Sequence, residues 1–89
     1  MSRSQWKSSA REGSRQRKIE RAQRRFGEQV AALRKEKGLT QQELGADCGI
    51  TTTKMQFIEN GRVNVSLSTI VRLGRRLGVK LERLLNRVK

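Results

Sequence analysis

Four glycines, Gly38, Gly49, Gly61 and Gly78, each close a run whose apolar residues recur at steps of three and four. Glycine reaches a left-handed backbone at little cost, so it stops a helix where other residues would continue it. Soon after each of the first three stops stands a hydroxyl side chain able to open the next helix: Thr40, Thr51 and Ser66. A chain punctuated this way is constrained to a cluster of short helices. No stretch alternates apolar and polar residues as a half-buried strand does.

The spacing predicts five helices. Ile19, Ala22, Phe26, Val30 and Leu33 share one face of the first, with a core over 26–37 and Gly38 as its end. Gly27 interrupts that helix at a cost of ~1 kcal/mol relative to Ala. Upstream, residues 15–25 are expected to be helical only where their charges are neutralised. Thr40-Gln41-Gln42-Glu43 reads as a capping box opening a second helix over 41–48. A third runs from the Thr51 cap through Asn60, with Met55 and Ile58 inward and Asn60-Gly61 as the stop. After a loop over 62–65, Ser66 caps a fourth helix carrying Leu67, Ile70, Val71, Leu73 and Leu77. The last, over 81–88, carries Leu84 and Leu85. Cys48 reads as a small buried apolar residue. Gly45 lies mid-helix, where glycine is unfavourable, and a close approach by the neighbouring helix would explain it. Two short helices parted by Gly49, the second apolar on one side only, form a helix-turn-helix arrangement.

The charge is uneven. Residues 1–25 hold nine basic and two acidic side chains, and residues 26–89 hold twelve and six, giving +13 in 89 residues. Residues 1–22 therefore read as a basic arm, largely disordered or extending the first helix, with 2–14 disordered when free. Residues 23–89 read as one small domain. With no His and one Cys, the composition supplies no set of zinc ligands, no internal disulfide and no imidazole for acid–base work. The expectation is a non-enzymatic protein with no cofactor or metal, no membrane span, and a polyanion as partner.

The residues Leu39-Thr40-Gln41-Gln42-Glu43-Leu44, Gly49-Ile50-Thr51, Phe57-Ile58-Glu59-Asn60-Gly61-Arg62, Ser66-Leu67, Leu77-Gly78-Val79 and Leu84-Leu85 resemble the lambda-repressor/Cro-type (XRE) helix-turn-helix family over about two-thirds of the chain. The resemblance implies an all-α, five-helix DNA-binding domain, dimeric on operator DNA. It implies a backbone-phosphate contact for Gln41, and a major-groove surface of Thr52, Thr53 and Phe57, with Thr51, Lys54 and Gln56 beside them. It further implies a phosphate-gripping loop with Asn60, Arg62 and Asn64, and an ion pair of Arg34 with Glu59. The chain departs from the family pattern in Val65, where Pro is frequent, and in Lys80, where a hydroxyl cap is usual. Phe57 stands at a site more often polar: either it packs on a thymine methyl or it completes the core.

Arg15, Arg17, Lys18 and Arg21 of the arm are expected to meet phosphates, the alternative being a solubilising tail. Trp6 is either an anchor or an unordered residue. Leu81, Leu84, Leu85 and Val88 are expected to form a homodimer contact, the alternative being a core within one subunit. The expected function is a cytoplasmic, nucleoid-associated transcriptional regulator acting on double-stranded DNA with an inverted-repeat operator. The rivals are an antitoxin module that binds a toxin protein and a general nucleic-acid-binding protein.

Overall fold

The computed structural model describes residues 8–85, all its regular elements being helices: α1 (Ser8–Glu36), α2 (Gln41–Cys48), α3 (Thr52–Glu59), α4 (Leu67–Leu77) and α5 (Leu81–Leu85). Trp6 and Val88 lie outside the described residues. The caps that begin α2, α3 and α4 are side-chain oxygens of Thr40, Thr51 and Ser66, each accepting from the amide three residues on. Gly38, Gly49, Gly61 and Gly78 all take φ between 70° and 72°. Asn60 itself stays right-handed at φ −86°, so Gly61 alone makes that stop.

One core joins all five helices. Phe26, Val30 and Leu33 of α1 meet Leu44 and Cys48 of α2, Met55 and Ile58 of α3, Leu73 and Leu77 of α4, and Leu84 of α5. Ile50 closes it from the turn between α2 and α3. The Cys48 thiol is buried 3.7 Å from the Arg72 carbonyl. Burial pushes its pKa up, with Asp47 adding to the effect and Arg72 and Arg76 opposing it. The group is a neutral filler.

Two features of the helices bear on the sequence expectations. First, α1 is one helix from Ser8 to Glu36, continuous with the described part of the basic arm. Its continuity through Gly27 has a packing cause. A Cβ there would stand 2.3 Å from the Ile58 carbonyl oxygen and 2.6 Å from that of Glu59, so glycine lets the end of α3 lie against α1. The apolar face of α1 outruns the core: Phe26 is buried while Ile19 is 47% exposed. The molecule measures 52 × 23 × 19 Å, its length reflecting the projection of α1.

Second, Leu84 does not face a second subunit. It is fully buried in the core of its own chain, because α5 turns back against α1 and α4. Leu84→Ala is therefore expected to lower unfolding free energy by about 2–5 kcal/mol in urea titration. A variant of normal stability but altered oligomeric state would return Leu84 to an intersubunit contact.

Candidate nucleic-acid interface

The α2–turn–α3 unit is built by backbone geometry. Gly49 takes φ +70° and the Ile50 amide donates to the Gly45 carbonyl at 2.7 Å, folding the chain back on α2. That explains Gly45. A Cβ there would stand 2.4 Å from the Ile50 oxygen, so the close neighbour is the turn following its own helix, not a packed helix as the sequence suggested. Thr51 then caps α3, its hydroxyl oxygen accepting from the Lys54 amide at 3.1 Å.

α3 has two buried side chains, Met55 and Ile58. At 3.6 residues per turn the edge opposite them carries Thr53, Gln56, Phe57 and Asn60, flanked by Thr52 and Lys54. All six are exposed. Phe57 is 47% exposed, so it does not complete the core. The ring therefore stands at the surface among polar side chains.

The orientation of α3 is held by a polar cluster at its end. Arg34 Nε donates to Glu59 Oε2 at 2.7 Å and Arg34 Nη2 to Oε1 at 3.1 Å. The third arm, Nη1, donates to the Leu39 carbonyl at 2.8 Å. Gln41 completes the group, its amide donating to Glu59 Oε1 at 2.9 Å. The ion-pair side chains retain only 12% and 6% exposure, so solvent screens them little. Among the described residues Gln41 thus has one side-chain partner. Its amide carries a second N–H and a carbonyl besides.

The loop after α3 places Arg62 and Asn64 at the surface, beside Asn60. It is tied to α1 by a hydrogen bond from the Gln23 amide to Asn64 Oδ1. Sequence reading missed this link, as it missed Gln41 to Glu59: the partners are 41 and 18 positions apart, and no local pattern joins them. It also missed the Arg76–Asp47 pair between α4 and α2. Those two side chains are 38% and 44% exposed, and such pairs contribute ~0–1 kcal/mol. Arg15, Arg17, Lys18 and Arg21 are all exposed on the projecting half of α1. Leu81 and Leu85 are the first and last residues of α5. No group of His, Cys, Asp and Glu suited to a metal ion occurs among the described residues, and no described helix is long and apolar enough to cross a membrane.

The arrangement is a protruding helix edge of hydroxyl, amide and aromatic groups, bordered by basic side chains. It can hydrogen-bond base edges and touch methyl groups while cations face phosphates.

Comparisons with known proteins agree with this geometry. The profile of a helix-turn-helix domain family matches residues 25–86. An uncharacterized HTH-type transcriptional regulator of Sinorhizobium fredii, y4dJ, is 42% identical over 53 residues, which cover 60% of this chain and 69% of the relative. Control protein C.MunI of a Mycoplasma species is 36% identical over 66 residues, 73% of this chain and 89% of the relative. Among solved structures, the restriction-modification controller protein C.AhdI of Aeromonas hydrophila superposes with TM-score 0.66 at 33% identity, covering 68% of this chain and 92% of that one. The clp gene regulator ClgR of Corynebacterium glutamicum superposes with TM-score 0.72 at 22% identity over 75% of this chain and 71% of its own, a likeness of fold.

Because Glu59 is buried against its partner, Arg34→Ala should strand a carboxylate and cost ~3 kcal/mol. A thermal melt by circular dichroism measures this. An unchanged midpoint would mean that the pair does not hold α3 in place.

Proposed function

The chain belongs to the helix-turn-helix family of transcriptional regulators, and from that premise we propose that it is a cytoplasmic, non-enzymatic, controller-type regulator that binds duplex DNA as a homodimer. The observation that carries the reading is the outward edge of α3: five exposed side chains, with Asn60 at the cap, on a short helix that buries two. The two controller-type relatives, matched over 89% and 92% of their own lengths, support the class of regulator.

In this reading α3 lies in the major groove. Gln56 suits an adenine, since its amide can donate to one edge atom and accept from another. Thr53 and Phe57 offer methyl and ring surface to thymine, and Thr52 and Thr53 add adaptable hydroxyls. Thr51 serves mainly as the cap. Gln41, Arg62, Asn64 and Lys54 meet phosphates, with Arg15, Arg17, Lys18 and Arg21 extending that contact along α1. Phosphate contacts set affinity and the α3 edge sets sequence.

One such edge spans only a few base pairs, so two copies about a twofold axis are needed for a selective site. Their half-sites would be centred ~34 Å apart on an inverted repeat. With Leu84 inside the core, the contact must use other residues. Leu67 and Val71, exposed and one turn apart on α4, support a surface there.

Selection of sites from random DNA tests this function. The unaltered chain should yield an inverted repeat, and Thr53→Ala should relax one or two positions per half-site by ~1–3 kcal/mol. The same consensus from the variant would remove α3 from the groove. If about six phosphates are neutralised, log K should fall with log salt at a slope of roughly −5. A flat dependence would argue against duplex DNA as the partner.

A further inference from the structure

A groove of about 660 Å³ runs between the projecting half of α1 and the loop that follows α3. Gln16, Glu20, Gln23 and Arg24 form one wall, and the loop with Arg62 and Asn64 forms the other.

Two features hold the walls together. Gly61, at φ +72°, lies directly on the helix: a Cβ there would stand 2.6 Å from the Arg24 Cα. The Gln23 amide also bonds Asn64 across the groove. The position of the loop against α1 is thus set by close packing at Gly61 and one side-chain hydrogen bond.

The chemistry of the lining suits an anion. Amides of Gln16, Gln23 and Asn64 and guanidinium groups of Arg24 and Arg62 supply N–H donors. The one carboxylate of the lining, Glu20, accepts from Gln16 Nε2 at 3.4 Å. Around the groove α1 is strongly basic, with seven basic and two acidic residues between positions 8 and 25. Guanidinium forks and amide donors match phosphate oxygens. Asn60 belongs both to the outward edge of α3 and to the groove, so the edge opens into it.

We propose that this groove seats the sugar–phosphate backbone of the duplex that α3 engages. The projection of α1 is then a second clamp on the DNA backbone at one margin of each half-site, with the loop seated on it at Gly61. This rests on the DNA-binding reading above and adds residues, Gln16, Gln23 and Arg24, with a defined channel. Glu20 opposes the backbone and tempers the affinity of the groove.

The test uses the full chain and a fluorescein-labelled duplex of random sequence, with binding followed by anisotropy across a salt series. Arg24→Gln should make the slope of log K against log salt shallower by about 0.9, the loss of one phosphate contact. Glu20→Gln should bind more tightly at every salt concentration, and Gln16→Glu more weakly. Opposite signs from neighbouring positions, with unchanged circular dichroism, would not arise from a purely structural role. If Arg24→Gln fails to fold, the exposed Glu20 still decides. Glu20→Gln and Gln16→Glu variants that bind like the unaltered chain would overturn the groove, while salt-dependent binding by that chain leaves the DNA reading standing. An unaltered chain that binds no duplex overturns both.

Discussion

The Arg34–Glu59 ion pair is the contact on which the rest of the molecule depends. α3 buries only Met55 and Ile58, and two apolar side chains leave a short helix free to roll. The bidentate pair removes that freedom by tying the end of α3 to α1, and Gln41 extends the tie to the start of α2. A buried ion pair often adds little net stability, since desolvation offsets its attraction. Its contribution here is direction: it sets which edge of α3 faces out. The same cluster reaches Leu39, so the turn leading into α2 is fixed by the group that orients α3.

Close backbone approach is the second constraint. Gly27 lets the carbonyls at the end of α3 lie on α1, Gly45 lets the turn fold onto α2, and Gly61 lets the loop lie on Arg24. At each place a methyl group would overlap a backbone atom. The contacts at Gly27 and Gly61 bring the end of α3 and the loop onto α1, and the contact at Gly45 fixes the turn on α2. That is why a helix whose first half lies outside the core can still be aligned with the surface formed by α3 and the loop.

The proposed division between affinity and selectivity rests on charge and geometry. Basic residues are spread along α1 and beyond, while the outward edge of α3 carries hydroxyl, amide and aromatic groups with one lysine at its flank. In the proposed reading, long-range attraction and short-range reading fall to different elements. Packing α5 through Leu84 strengthens a small core, and it leaves the exposed apolar residues on α4.

Much of the fold was legible in the residues. Helix starts and stops are local events: a hydroxyl accepts an amide three residues on, and a glycine adopts positive φ. Thr40, Thr51, Ser66 and the four stop glycines therefore marked α2, α3 and α4 directly. The inward faces of Phe26, Val30, Leu33, Met55 and Ile58 were equally plain, because a period near 3.6 is a property of the chain itself. The surroundings of each face were not. Ile19 shares the stripe of Phe26 yet lies outside the core, and Leu84 reads as surplus apolar surface until α5 is seen to fold back onto α1 and α4. Gly27 and Gly45 look like weak points in their helices, and only their neighbours in space show that a side chain would not fit. The link from Gln23 to Asn64, the bond from Gln41 to Glu59 and the groove beside Arg24 join residues far apart in sequence. Local geometry wrote the elements into the sequence, whereas long-range packing, which depends on where each element ends up, decided which surfaces remain for a partner.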